Sequence, residues 1–306
     1  MSFKNLKLHP SLITNLSKLG FESPTPIQTK MIPVALNGKD VLGIAKTGSG
    51  KTASFVLPIL NHLLKDKNSD RTRQPKALVL VPTRELAVQV SEVFRDLSKN
   101  FIHPIKSMAV YGGVSINPQM KALYGVDILI ATPGRLLDLE RSNAVDFSKL
   151  ECLVIDEADK MLDLGFAQEL DLILEQLPNK RQNLLFSATY PPKMLNIASR
   201  ITKDAISIEI EDEEPTVSNI MQRVIEVNKE NRSPLLQDLI RTNKWNQVLV
   251  FMSSKRASDN LANKFRKYGF LAESFHGDLV QDDRNYTLDE FKKNKIKILF
   301  ATDIAS

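Results

Sequence analysis

The stretch "VLGIAKTGSGKTASF", Val41–Phe55, decides the fold. Its apolar opening reads as a short strand, "TGSG" breaks any regular element, and the rest opens a helix. Strand, glycine turn and helix in that order make a cradle for an anion. Successive amides from Thr47 to Thr52 would wrap a phosphate, Gly48 and Gly50 permit the tight backbone, and the helix N-terminus adds positive potential. On this pattern Lys51 reaches the β- and γ-phosphates of a nucleotide and the Thr52 hydroxyl ligates Mg²⁺. Lys46, Thr47, Gly48, Ser49, Gly50, Lys51 and Thr52 are therefore the candidate nucleotide-binding loop, although Ala45 stands where the usual pattern has its first glycine.

Further β-rich runs follow: "ALVLV" from Ala77, "SMAVY" from Ser107, "ILIA" from Ile128, "CLVI" from Cys152 and "NLLFSA" from Asn183. They are apolar throughout instead of alternating, which predicts a sheet covered on both faces. Between them lie amphipathic helices such as "ELAVQVSEVFRDL", where Leu86, Val90, Val93, Phe94 and Leu97 share one stripe. Strands alternating with helices predict a parallel, doubly wound α/β sheet. After "AISIEI" the charged, proline-containing "EDEEPTVSN", Glu211–Asn219, reads as a linker. The pattern then restarts with "QRVIEV", "QVLVFM", "LAESF" and "IKILFAT" as strands. The expected division is a domain over 1–210, a linker over 211–219 and a second, incomplete α/β domain over 220–306.

With 42% hydrophobic and 25% charged residues in 306, the chain has the composition of a soluble globular protein of about two domains. A formal net charge of +5 is compatible with nucleic acid but does not demand it. The single cysteine, Cys152, has no internal partner and apolar neighbours, so it reads as a buried structural thiol in a reducing compartment. "MSFKNLKLHP" has no apolar core of leader length, and no apolar run approaches the roughly 20 residues needed to span a bilayer, so a cytoplasmic protein is expected. The four scattered histidines lack zinc-ligand spacing.

A phosphate loop needs a metal-holding acid at a neighbouring strand end, and "CLVIDEAD" supplies one. Asp156 would hold Mg²⁺ through its water shell, and Glu157 would orient or deprotonate an attacking water. Asp159, further round the turn, is better placed to bond a neighbouring loop than the metal.

"DEAD" at Asp156–Asp159 together with "AKTGSGKT" resembles the DEAD-box family of ATP-dependent RNA helicases. That resemblance runs over essentially the whole chain and implies two RecA-like domains, the second incomplete, with ATP and Mg²⁺ as ligands. "GFESPTPIQ", Gly20–Gln28, resembles the family's adenine-reading motif, with Gln28 on the adenine edge, Phe21 on the ring and Phe3 as the isolated upstream aromatic. "PTRELA", "GG" at Gly112 and Gly113, and "TPGR" match motifs that hold the nucleic-acid backbone, through Arg84, Gly113, Thr132 and Arg135. "SAT", Ser187–Thr189, matches a motif whose hydroxyls bond the acidic motif and couple hydrolysis to unwinding. In the second unit "VLVFMSS", "FHGD", "QDDR" and "ATDIAS" match later motifs. There Thr302 would touch the RNA backbone, and His276 reads as a turn residue without a partner acid.

The resemblance implies a monomer that binds single-stranded RNA or a short duplex through its backbone, with little base specificity. It also leads to the expectation that the chain, taken literally, hydrolyses ATP poorly. The family's ribose-touching segment and arginine fingers do not follow "ATDIAS", and such an arginine contributes about 10³ to 10⁵ in turnover. Three other readings remain open: an ATP-gated RNA clamp, a phosphate-loop NTPase or translocase acting on DNA, and a folded scaffold fragment without activity.

Overall fold

Short strands made largely of apolar side chains form ladders buried on both faces, and that is how this chain builds the centre of its larger sheet. The computed structural model describes residues 2–46, 48–65, 72–189, 192–210 and 221–302. Thr47, most of the charged loop at 65–74, the expected linker 211–219 and the last four residues of "ATDIAS" lie outside the described residues.

The chain divides into two compact units, Met1–Glu214 and Pro215–Ser306. The first carries β1 (Val41–Ile44), β2 (Ala77–Leu80), β3 (Ser107–Val110), β4 (Ile128–Ala131), β5 (Cys152–Ile155), β6 (Gln182–Ser187) and β7 (Ile206–Glu209). Every pairing is parallel and the strand order is β3-β4-β2-β5-β6-β1-β7. Because side chains alternate across a strand, each run feeds two cores. Ala77, Val79, Val154, Leu184 and Phe186 join one core with the helices Pro26–Leu36, Lys51–Leu63 and Arg84–Ser98. Leu78, Leu80, Leu153, Ile155 and Leu185 join the other with Pro133–Arg141, Ala167–Gln176 and Pro192–Ile201.

The helix after the glycine loop is the best anchored element. From Lys51 to Leu63 nearly every residue is buried, and the Phe55 ring sits 5.3 Å from Phe186 on β6 and 6.4 Å from Phe94. Cys152 is buried, and desolvation, with help from the nearby Asp40 and Glu151 carboxylates, pushes its thiol up to about 12, which makes it inert.

The second unit is a smaller parallel sheet, with β8 (Val248–Met252), β9 (Ala272–Phe275) and β10 (Ile298–Thr302) in the order β8-β10-β9. One face packs Phe300 against Phe265 at 5.0 Å, edge to face. On the other, Phe275, Leu299 and Ala301 meet the helix Gln281–Lys292 through Leu288 and Phe291. The expected strand "QRVIEV" does not form: 221–228 joins no described ladder and Val224 is 95% exposed. An apolar alternation makes a strand only where a neighbour accepts its hydrogen bonds. Among the described residues no helix is long and apolar enough to cross a membrane.

Phe55→Ala should cost about 3–5 kcal/mol, since it empties a buried aromatic site between two other rings. Phe251→Ala should cost under about 1 kcal/mol, because Phe251 is 57% exposed. Guanidinium unfolding compares the two; equal losses would contradict this placement of the core.

Candidate functional site

Parallel strands send all their carboxyl ends to one edge of the sheet. In the first unit that edge carries the glycine loop after β1, Arg84 after β2, Gly112 and Gly113 after β3, Thr132 after β4, Asp156 after β5 and Ser187 at the end of β6. The strand order sorts them: β3-β4-β2 gathers the two arginines and the glycine pair, while β5-β6-β1 gathers the loop and the acids.

Gly48 (φ +83°) and Gly50 (φ +93°) both take the left-handed conformation that glycine alone adopts freely. Gly50 is also tightly packed, since a Cβ there would lie 2.5 Å from Gln28 Nε2 and 2.9 Å from Thr25 Oγ1. Gln28 is 2% exposed; its Nε2 donates to the Gly50 carbonyl at 3.1 Å and its Oε1 accepts from the Thr25 amide at 3.0 Å. Its amide thus braces the loop against the helix Pro26–Leu36, with one N–H and one lone pair to spare for a ligand. Lys51 opens its helix buried, Thr52 is half-buried beside it, and Lys46 is exposed. The Ser49 hydroxyl is buried without a partner among the described residues. Phe21 is 40% exposed, open to a planar ligand, but Phe3 is a core residue packed with Leu6, Leu8 and Leu12. Phe3, the isolated upstream aromatic, therefore lies in the core and leaves Phe21 as the open ring.

Asp156 is the first polar residue after β5 and is 3% exposed. Desolvation pushes its carboxyl up to about 6; Lys51 opposes that shift, while Glu157 and Asp159 add to it. Glu157 has φ +50° and ψ +48°, a left-handed conformation that costs a non-glycine residue about 1 kcal/mol or more and turns its carboxylate out of the strand direction. Its Oε2 meets Lys160 Nζ at 3.2 Å, and its amide donates to Asp156 Oδ1 at 2.9 Å. Asp159 Oδ2 accepts from the Ala188 and Thr189 amides, both at 3.1 Å, and from the Thr189 hydroxyl at 3.2 Å. Ser187 does not share in this: fully buried at the end of β6, it donates to the Thr189 carbonyl at 2.5 Å. Of the two "SAT" hydroxyls, only Thr189 bonds the acidic motif.

On the other half of the edge, Thr83 caps the helix Arg84–Ser98 by accepting from the Leu86 amide at 3.3 Å. The Arg84 guanidinium lies flat on Gly113 (φ +80°), where a Cβ would fall 2.0 Å from Nη1. Arg135, which the motif suggested as a backbone contact, is only 8% exposed; its Nη2 donates to the Val114 carbonyl at 2.7 Å and its Nε lies 3.7 Å from Asp138. Two arginines therefore hold the glycine loop between them. Gln119, which sequence reasoning missed, fixes its base by pairing with both the amide and the carbonyl of Tyr111 at 3.2 and 3.1 Å. Thr132, 7% exposed, stands at the N-cap position of the helix Pro133–Arg141 without a side-chain cap hydrogen bond, while its amide donates to the Val110 carbonyl at 3.2 Å.

In the second unit Thr302 ends β10 buried, its hydroxyl unpartnered among the described residues. His276 does have a partner acid, contrary to expectation: its Nε2 lies 2.9 Å from Asp259 Oδ1, which also accepts from Ser274 Oγ at 2.6 Å. Partial burial opposes ionisation of Asp259, but these two bonds outweigh it and hold its carboxyl below the usual range. Asp259 lies in the helix Lys255–Lys267, so nothing local in "FHGD" announces it.

The chain matches the DEAD/DEAH box helicase family over residues 25–197 and the helicase conserved C-terminal domain over 231–306. It is 39% identical over 300 residues to the ATP-dependent RNA helicase dbp2 of Schizosaccharomyces pombe, covering 96% of this chain and 54% of that one. To the DEAD-box ATP-dependent RNA helicase CshA of Bacillus cereus it is 38% identical over 306 residues, 100% of this chain and 57% of that one. The chain thus spans about half the length of the curated relatives it matches. Among solved structures, S. cerevisiae Dbp5 bound to RNA and ADP BeF3 superposes with a TM-score of 0.86 at 28% identity, covering 99% of this chain and 76% of that one.

The raised Asp156 carboxyl makes a pH prediction. The folded state holds this proton more tightly than the unfolded state, where the group titrates near 3.8, so its effect on stability worsens as pH rises from about 4 to about 6. Above that, two pKa units amount to about 3 kcal/mol of destabilisation without ligand. Asp156→Asn should therefore raise the urea midpoint at pH 7.5 and flatten the pH 4–6 dependence relative to the parent chain. A variant less stable than the parent at pH 7.5 would contradict this.

Proposed function

The chain belongs to the DEAD/DEAH box helicase family, with two RecA-like units, and on that premise we propose that it is part of an ATP-dependent RNA helicase. In this reading 1–210 binds the nucleotide, 211–219 links it to the second domain at 220–306, and the substrate is single-stranded RNA or a short duplex. The observation that carries it is the partition of one sheet edge. Anion-cradling and acidic groups end β1, β5 and β6, while an arginine-braced glycine loop and helix N-termini end β2, β3 and β4.

Each group has a physical task. The amides around Gly48 and Gly50 and the Lys51 ammonium meet phosphate oxygens. Phe21 offers a face to the base, and the spare bonding capacity of Gln28 meets its edge. The Thr52 hydroxyl and the Asp156 carboxylate are hard oxygen donors that suit Mg²⁺, and the strongly desolvated Asp156 favours a cation beside it. When bound, that ion would neutralise charge on the phosphate oxygens. Glu157, turned off the strand axis, orients the attacking water and takes its proton. Asp159 ties this turn to Thr189, so a shift at the acids moves the loop after β6. Arg84, the amides of the Gly112–Gly113 loop and the Thr132 hydroxyl face the RNA backbone, and Arg135 keeps that loop in place. A lone buried cysteine fits the cytoplasm.

Binding of a non-hydrolysable ATP analogue with Mg²⁺, and of a single-stranded RNA oligomer, tests this directly. We expect the analogue to tighten RNA binding, and Lys51→Ala to weaken nucleotide binding by about tenfold or more and to abolish that tightening. Arg84→Ala should weaken RNA alone, and Glu157→Gln should bind both ligands. Nucleotide binding unaffected by Lys51→Ala would overturn the reading, and matched DNA competing as well as RNA would overturn the assignment of its substrate.

A further inference from the structure

Trp245 is the only tryptophan in the chain, and it is 45% exposed. It lies just before β8, at the amino edge of the three-stranded sheet, the end of the strands away from Thr302. Parallel pairing brings the three segments that enter the sheet together at this edge. Val248 N donates to the Lys297 carbonyl and Lys297 N to the Leu271 carbonyl, both at 2.8 Å. Gln247 Nε2 adds a bond to the Phe291 carbonyl at 2.5 Å, and the Arg241 guanidinium stacks 5.0 Å above Phe270. The resulting surface carries two exposed rings, Trp245 and Tyr268 (53% exposed), and an exposed Leu271.

Lysines enter this edge with the rings: Lys244 precedes Trp245, Lys267 precedes Tyr268, and the Lys297 amide bonds the Leu271 carbonyl. Lys293 pairs with Asp289 and Lys295 with Glu290, but Lys244, Lys267 and Lys297 make no ion pair among the described residues. Exposed aromatics among uncompensated cations are what a single-stranded nucleic acid uses: lysines follow the phosphates and every base has a face to stack. An acidic protein would need the charge but not the rings. No residue of the carboxyl-edge motifs takes part.

We propose that the amino edge of the second unit is a separate contact for single-stranded RNA, stacking bases on Trp245 and Tyr268 with Lys244, Lys267 and Lys297 on the backbone. Naming the polymer as RNA rests on the functional reading above. The contact is sequence-tolerant, needs no nucleotide, and holds RNA that lies outside the ATP-dependent site.

Trp245 reports on its own surroundings, so the full chain can be titrated with oligouridylate while tryptophan emission and RNA anisotropy are recorded together. Without nucleotide, we expect saturable, salt-sensitive quenching. A Lys244→Gln, Lys267→Gln, Lys297→Gln variant should bind about tenfold more weakly in this mode, with its log–log salt slope reduced by about 2 at about 0.7 per contact, and with its unfolding midpoint and Mg-nucleotide binding unchanged. RNA binding by anisotropy with unchanged Trp245 emission would overturn the proposal and leave the functional reading standing. Quenching by polyglutamate but not by RNA would overturn it in favour of an acidic protein. No RNA binding in either signal, with or without nucleotide, would overturn both.

Discussion

A sheet buried on both faces can carry polar chemistry only at its ends, and the first unit is organised around that constraint. Ala77–Leu80, Ile128–Ala131 and Cys152–Ile155 are buried at every position. A charged side chain within these runs would be desolvated with no room for a partner. Asp156 comes one residue later and still bears part of that cost, which is why its carboxyl is pushed up to about 6. A cation beside that carboxylate would relieve the same desolvation.

Strand order turns a row of strand ends into two neighbouring sites. β6 lies between β1 and β5, so the loop after it sits between the phosphate cradle and the acids. Asp159 grips that loop through two amides and a hydroxyl. On the far side β5 pairs with β2, whose next residues lead to Arg84. The acidic turn is therefore flanked on one side by the loop it grips, with the glycine loop after β1 one strand further on, and on the other side by the strand that leads to Arg84. Coupling between the two ligands needs no long path through the core, only adjacent strand ends held by side chains with fixed partners.

Apolar runs and turn residues made most of this frame legible in sequence. Every run between Val41 and Ser187 became a strand, since a fully apolar segment of four or five residues has few other ways to bury itself. What stayed hidden depends on partners distant in sequence. Phe3 and Phe21 look alike as isolated aromatics, yet only tertiary packing sends one to the core and leaves the other open. That Arg135 also braces the glycine loop shows only once the Val114 carbonyl is seen to accept from its Nη2. The His276–Asp259 pair spans 17 residues, and the clamp of Gln119 on Tyr111 uses a side chain that no motif marks. "QRVIEV" shows the reverse failure, a good strand pattern without a ladder to join.

The two ends of a parallel strand differ in the contacts they can offer. At a carboxyl end the chain turns into a helix N-terminus, and amides, glycines and capping hydroxyls point the same way in a geometry fixed by the backbone. Such groups discriminate by shape, which suits a reacting phosphate or a bent backbone. An amino end is reached from a helix C-terminus and a loop, where orphan carbonyls repel anions and any attraction must come from side chains. Lys244, Lys267 and Lys297 answer that requirement with long cationic side chains, and Trp245 and Tyr268 with flat faces. Contacts of this kind hold a polyanion without fixing its register, so they leave the ordered edge free to select geometry.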